Sequence, residues 1–267
     1  MTLSSAPIAT EAVLLRSVAY GESDLIVTLF TRARGKLSAL ARGARGSKRR
    51  FVGALGTMVV SRVELRPRPA SELWVLASAT PVETFHQVAA DVVALAHGGW
   101  ATELVRELSA AEQPDEEVLD LLVGLYRLLG ARGPSVTALR AFELALLDHA
   151  GFAPVLDRCV ACGNQDPAAL DAPGAVLDPG RGGTTCSVCA ARAHGAGVRP
   201  LPADARALLL AAQRAGSPAD VHDGGTSPPG ARAARDALIE ILLAHIGKPM
   251  RSLEFLKQLA GTRAQEP

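Results

Sequence analysis

Four cysteines stand at positions suited to one metal ion. Cys159 and Cys162 form one Cys-x-x-Cys pair, Cys186 and Cys189 a second, and 23 residues separate the pairs. Each short turn presents two sulfurs on one side, so two turns can surround a single Zn²⁺ tetrahedrally. These are all the cysteines of the chain. A shell of four thiolates leaves no open position, which points to one structural zinc rather than a catalytic one. His194 is near enough in sequence to replace one ligand, as a weaker alternative. Disulfides are disfavoured in a reducing compartment, and a redox dithiol lacks the surrounding strand and helix pattern it would need. Zinc binding on the order of 10 kcal/mol could organise a segment with so few apolar residues.

The second chemical feature is a run of cations. Arg32, Arg34, Lys36, Arg42, Arg45, Lys48, Arg49 and Arg50 fall within nineteen residues that contain no Asp or Glu. Gly35, Gly43 and Gly46 are interleaved with them, letting the backbone turn sharply and bring several cations against one phosphate chain. Such contacts set affinity without reading base sequence. Aromatic stacking platforms are scarce. Tyr20, Phe30, Phe51 and Trp74 are the candidates in this region, and Phe30 reads as core. Affinity for nucleic acid should therefore rest on charge more than on stacking.

Catalytic signatures are missing. The chain has no Gly-x-x-x-x-Gly-Lys-Ser/Thr phosphate loop, no His-Glu-x-x-His, no Gly-x-Ser-x-Gly and no Gly-x-Gly-x-x-Gly fingerprint. The six histidines, His86, His97, His149, His194, His222 and His245, are scattered. The reading is of a protein that is not an enzyme.

The elements that must position these residues follow from charge and periodicity. The net charge of +1 hides a strong polarity. Residues 1–82 hold twelve Lys or Arg against five Asp or Glu, and residues 83–130 hold two against nine. Neighbouring segments of opposite sign suggest separate surfaces. Within the first segment, residues 11–18, 25–30, 36–41, 57–65 and 73–79 read as short strands separated by Gly, Ser, Asp or Pro. Five such strands suit a small closed barrel, either an OB-fold or an SH3-like barrel.

After Pro81 the period becomes helical. One helix is expected between Asp115 and a stop at Gly130, and another opens at Pro134 and Ser135. Asp115, Glu116, Glu117 and Asp120 suit a solvated, dipole-matched helix start, with an acidic docking surface as the alternative. Helical signals return at 203–215, 231–246 and 252–259, and the Gly-, Ser- and Pro-rich stretch 216–230 is expected to be a mobile loop. The expected organisation is multi-domain α+β: a DNA-binding barrel over 1–82, then an α-helical domain over 83–267 with a zinc-binding insertion at about 155–200. Residues 1–10 have no basic start and no apolar run of signal-peptide length, and no stretch is long enough to cross a bilayer, so a cytoplasmic location is expected.

Taken in order, the motifs resemble those of the bacterial RecO recombination mediators. Tyr20-Gly21-Glu22-Ser23-Asp24, followed by Thr28-Leu29-Phe30-Thr31 and Gly35, is similar to the family's first hairpin. Ala41-Arg42-Gly43-Ala44-Arg45 with Lys48 and Arg49 resembles its basic loop, and the paired cysteines and Met250-Arg251-Ser252 with Phe255-Leu256 complete the likeness. The resemblance implies an N-terminal OB-fold, a helical domain and a zinc module. It also implies binding of single- and double-stranded DNA at the nucleoid, annealing of complementary strands, and partnership with RecR and the acidic tail of single-strand-binding protein in loading RecA. For that tail, a groove of helical leucines rimmed by Arg127, Arg132 or Arg140 offers an apolar pocket and cations together. The rival readings are a sequence-specific zinc-containing regulator, which would need a recognition helix dense in Arg, Asn or Gln, and a metal-dependent nucleic-acid enzyme.

Overall fold

The computed structural model describes residues 6–69, 71–192, 196–221 and 226–263; His194, His222 and part of the 216–230 loop lie outside them. The chain forms two compact units, Met1–Gly133 with Phe255–Pro267, and Pro134–Glu254. The change from strands to helices and the boundary between compact units therefore fall at different places along the chain.

The first unit begins with five strands: β1 (Ile8–Tyr20), β2 (Asp24–Thr31), β3 (Gly35–Ala41), β4 (Val59–Arg66) and β5 (Trp74–Thr84). They close into a barrel in the order β1-β2-β3-β5-β4, with β3 and β5 parallel and the other neighbours antiparallel. This is an OB-like barrel. Period-two alternation drives it: along β4, Val63 and Leu65 face the core while Arg62, Glu64 and Arg66 face solvent. Val27, Leu29, Leu37, Ala39 and Leu76 fill the same interior.

Strand β1 is longer than the barrel needs. It pairs with β4 only from Ile8 to Val13, and the register against β2 shifts between Leu14 and Arg16. A bulge of this kind re-aims a strand. Past it, Arg16 to Tyr20 are all exposed, and β1 keeps β2 as its one strand neighbour, while β2 stays paired with β3 as far as Leu25 and Ala41.

Two helices of this unit follow the barrel, α1 (Val92–Leu108) and α2 (Glu116–Arg132). Asp91 caps α1 by accepting from the amides of Val93 and Ala94, and Asp115 caps α2 by accepting from Val118. The stop expected at Gly130 falls three residues later, at Gly133 with φ 78°. Gly130 stays helical and has a different duty, since a Cβ there would lie 2.8 Å from Nε2 of Gln87.

The segment joining the helices is fastened to the start of β3. The amide of Glu112 donates to the Lys36 carbonyl at 2.7 Å, and Lys36 Nζ donates to the Arg106 carbonyl at 2.6 Å. Gly35 combines φ 61° with a site where the Gln113 carbonyl occupies the space of a side chain. No other residue type meets both demands.

In the second unit, α3 (Val136–His149) starts at Ser135, whose hydroxyl accepts from the Ala138 amide. The short helices α4 (Pro167–Leu170) and α5 (Ser187–Ala190) and a small sheet of β6 (Val176–Asp178), β7 (Gly183–Thr185) and β8 (Arg199–Pro200) form the cysteine region. Helices α6 (Ala203–Ala215) and α7 (Pro228–Ile246) follow; α8 (Arg251–Arg263), which ends the described chain, begins in this unit and from Phe255 belongs to the first. Helix α7 begins earlier than its period suggested, because Ser227 caps it and Pro228 and Pro229 occupy the first turn, where a missing N–H costs nothing. Among the described residues no helix is long and apolar enough to cross a membrane.

Inside this unit Arg140 makes a bidentate ion pair with Glu143, both contacts at 2.7 Å, with side-chain exposures of 3% and 0%. Burial pulls the Arg140 pKa below the usual guanidinium value, and Glu143 opposes that shift. Removing one partner would leave the other charge buried and uncompensated. Glu143→Ala is therefore expected to lower the unfolding free energy by about 3–5 kcal/mol. The double change Arg140→Leu with Glu143→Leu should cost far less. Chemical denaturation of both variants checks this, and equal losses would refute the pair's role.

Candidate nucleic-acid interface and metal centre

The four cysteines converge. Their sulfurs all lie within 4.8 Å of one another, and Cys162 Sγ is 4.0 Å from Cys186 Sγ. Tetrahedral coordination with metal–sulfur bonds of about 2.3 Å places sulfurs roughly 3.8 Å apart, so the cluster is near the size a single ion requires. The first pair sits on a tight turn closed by the Gly163 amide donating to the Cys159 carbonyl at 2.8 Å. The second pair spans the start of α5, where Cys186 is the residue before the first turn.

Hydrogen bonding prepares the donors. Burial pushes the Cys159 thiol up, but the amides of Cys186, Cys162 and Ala161 outweigh it and hold the thiol at about 6. Sharing of protons with Cys162 and Cys186 pushes Cys189 up to about 12. The thiols thus share protons as one coupled set, which metal binding would displace.

The scaffold around the cluster is polar and specific. The Val160 amide donates to the Thr184 carbonyl, and Val155 exchanges hydrogen bonds with Gly182 and Thr184 across Gly183, where a side chain would collide with the Val155 backbone. Arg206 of α6 grips Asp171 through two contacts of 2.7 and 2.8 Å and also donates to the Leu156 carbonyl. The module is thereby fixed to its own helical unit. His194, the alternative ligand, lies outside the described residues.

The cationic run is divided. Three of its eight members lie at the β2–β3 turn or the first residues of β3, and five lie on the loop after β3. At the first end Arg32 binds Asp120 at 2.7 Å, Glu116 at 3.2 Å and Glu11 at 3.5 Å. Asp120 chiefly raises its pKa, against the opposing effect of burial. Arg34 stacks 5.3 Å from the centroid of Trp74, and the Trp74 indole donates to Glu112. Lys36 serves the Arg106 carbonyl. Two of the acids at the start of α2, Glu116 and Asp120, thus reach the chain's own barrel while staying largely exposed, and Asp115 caps the helix.

At the second end Arg42, Arg45, Lys48, Arg49 and Arg50 are all exposed. Arg50 donates to the Arg42 carbonyl and lies 5.1 Å from the Phe51 ring centroid, and Arg45 donates to the Glu22 carbonyl. These bonds use backbone oxygens and leave the positive charge uncancelled. Arg16, Arg62, Arg66 and Arg68 are further exposed cations of the barrel outside the run. The alternation of β4 is the signal that places Arg62 and Arg66 outward.

The three arginines expected to rim a tail-binding groove have different fates. Arg132 is exposed, and Arg127 is exposed but forks onto Glu83 at 2.7 and 3.0 Å. Arg140 is buried against Glu143 and cannot present its charge to a peptide, which corrects that part of the expectation.

Comparison with known proteins decides the family. Residues 5–85 match the family model described as Recombination protein O N terminal, and residues 89–254 match Recombination protein O C terminal. The chain belongs to the RecO family. It is 42% identical over 250 residues to the DNA repair protein RecO of Anaeromyxobacter dehalogenans (strain 2CP-C), covering 92% of this chain and 94% of that one. It is 36% identical over 254 residues to that of Myxococcus xanthus (strain DK1622), covering 93% and 96%. With the protein of Geobacter sulfurreducens it shares 37% over 261 residues, covering 95% and 98%. Membership supports a role in DNA repair and recombination.

Because thiols must lose protons to bind a cation, metal affinity should rise with pH and be lost on acidification. The purified chain is expected to carry one metal equivalent at pH 7.5 and to release it toward pH 5 or with a strong chelator, lowering its melting temperature. Cys162→Ser should show the same loss at neutral pH. Elemental analysis with thermal melting checks both, and metal-free protein of unchanged stability would refute the assignment.

Proposed function

We propose that this chain is a recombination mediator that binds single- and double-stranded DNA by charge. In this reading it anneals complementary strands and, with RecR, helps load RecA onto DNA coated by single-strand-binding protein. The observation that carries the proposal is the group of five exposed cations, Arg42, Arg45, Lys48, Arg49 and Arg50, on one loop of an OB-like barrel. Barrels of this class hold nucleic acid along a basic groove. Phosphate contacts of this kind bind without reading sequence, as a mediator acting anywhere in a genome requires.

Arg32 and Lys36, and Arg34 against Trp74, are engaged within the protein, so their proposed task is to hold the barrel against α1 and α2. The four cysteines hold one structural Zn²⁺ in this reading, and the acidic tail of single-strand-binding protein is a partner. No nucleotide hydrolysis or strand cleavage is required of any residue.

Neutralising about five phosphates of a single strand gives a slope of log affinity against log salt of roughly −3.5. Replacing Arg42, Lys48 and Arg49 together by Ala should weaken binding at low salt by at least about tenfold and reduce that slope by about 2. Arg32→Ala should leave the slope unchanged and lower the melting temperature instead. Fluorescence anisotropy with labelled oligonucleotides through a salt series checks both, alongside annealing of complementary strands. A wild-type chain that retains no oligonucleotide at low salt would refute the reading.

A further inference from the structure

Phosphate contacts alone do not favour an unpaired strand, since a duplex offers the same phosphate groups at higher charge density. A residue that offers an uncovered π-face beside the cations would supply that preference. Of the four aromatic residues in the barrel region, Phe30, Phe51 and Trp74 are buried, and Tyr20 is 55% exposed. Its position in the fold is specific.

Tyr20 is the last residue of β1, at the tip of the β1–β2 hairpin and past the point where β1 leaves β4. Directly paired residues on neighbouring strands share a face, so Val18 with Ile26 and Tyr20 with Asp24 form one side of that hairpin end. The opposite side carries Val27 and Leu25, which pack into the barrel core. Tyr20 therefore lies on the outward side, and Val18 on the same side is also exposed.

The basic loop is tied to this tip. Asp24, opposite Tyr20, accepts from the Gly43 amide at 2.7 Å. The Arg45 amide donates to the Ser23 carbonyl at 3.0 Å, and the Arg45 guanidinium donates to the Glu22 carbonyl at 3.0 Å. Gly43 has φ 63°, the conformation that lets the chain turn onto the hairpin tip immediately after Arg42. Three hydrogen bonds thus hold the exposed ring and the exposed cations in one neighbourhood.

We propose that Tyr20 is a stacking platform for an unpaired base of single-stranded DNA whose phosphates lie on Arg42, Arg45 and the following cations. This rests on the proposal that the loop binds DNA and deepens it by naming the form of DNA the site favours. In a duplex both faces of each base are already stacked, so the ring gains nothing there. In a single strand one face is free. Stacking leaves the hydrogen-bonding edge of the base pointing away from the protein, where a complementary strand can reach it. Charge holds the strand and the ring presents a base in a form competent to pair.

The test compares wild type with Tyr20→Ala, Tyr20→Phe and Tyr20→Trp on three probes: a single-stranded oligonucleotide, the same sequence as duplex, and a strand of equal length made of abasic residues. Base–aromatic contacts of this kind correspond to roughly 5- to 100-fold in affinity. Tyr20→Ala should lose single-strand affinity by about that factor while duplex and abasic affinities stay within about twofold and the salt slope is unchanged. Tyr20→Phe and Tyr20→Trp should retain single-strand binding. Because the ring is exposed, all three variants should melt with the wild type. Equal loss on all probes, or no loss on the single strand, would overturn the stacking role while leaving charge-driven binding standing. Failure of wild type to bind any probe would instead overturn the function on which this inference rests.

Discussion

Strand β3 has to satisfy different neighbours at its two ends, and the arrangement of the candidate interface depends on that. At Gly35 and Lys36 it is fastened to the segment between α1 and α2, with the Glu112 amide on the Lys36 carbonyl and the Gln113 carbonyl where a Gly35 side chain would be. Beyond Ala41 the chain passes into a loop that Asp24 and Ser23 hold against the β1–β2 tip. Seven extended residues separate the two ends by roughly 20 Å. Cations crowded within nineteen residues of sequence are therefore dealt to two places. At physiological ionic strength that separation exceeds the screening length of about 8 Å, so the two groups act independently.

The near-zero net charge of the protein hides the same division. Acids of residues 83–130 pair locally: Asp120 and Glu116 with Arg32, Glu83 with Arg127, Glu103 and Glu107 with Arg106. The acids at the β1–β2 tip to which the exposed loop is tied are Glu22 and Asp24, and Asp24 is turned toward a backbone amide rather than toward a guanidinium. Positive potential is thus left where it faces solvent and cancelled where the barrel meets its own helices. Partly exposed ion pairs contribute little to stability one by one. A guanidinium shared by three carboxylates is a stronger reason for the helices to sit where they do.

Much of this could be read from sequence because it is local. Alternation of residue type gives the five strands, caps at Asp115 and Ser135 give two helix starts, and the spacing of Cys159, Cys162, Cys186 and Cys189 gives the cluster. What could not be read depends on partners far along the chain. Arg32 meets Asp120 across 88 positions, and nothing near Arg32 announces it. Gly130 resembles a helix stop until Gln87 packs onto it, and only the pairing of Gly133 with the following Pro134 ends the helix. Arg140 looks like a surface cation on an amphipathic helix. Glu143 stands three residues away in plain view, but burial of the pair is decided by the packing of other elements. Tyr20 is one of four aromatic residues in the barrel region; that Phe30, Phe51 and Trp74 are buried while Tyr20 is not is settled by packing between elements.

The cysteine module poses the question of what closes the turns that carry its sulfurs. The buried cluster around them consists of Cys159, Leu170 and Cys186, with Ala169 and Cys189 half-buried beside it, so sulfur makes up much of that cluster, while Leu156, Ala175 and Leu177 are buried elsewhere in the region. One buried leucine contributes about 1.5–3 kcal/mol, whereas a four-thiolate metal site contributes on the order of 10 kcal/mol. Coordination would therefore outweigh the one leucine that touches the sulfurs, and an ion would close these turns. Its attachment is of a different kind, because Arg206 reaches Asp171 and the Leu156 carbonyl from α6, whose own buried face of Ala205, Leu208, Leu209 and Ala212 needs no metal. Loss of the ion would therefore loosen the turns that carry the cysteines before it disturbed the helix to which they are tied.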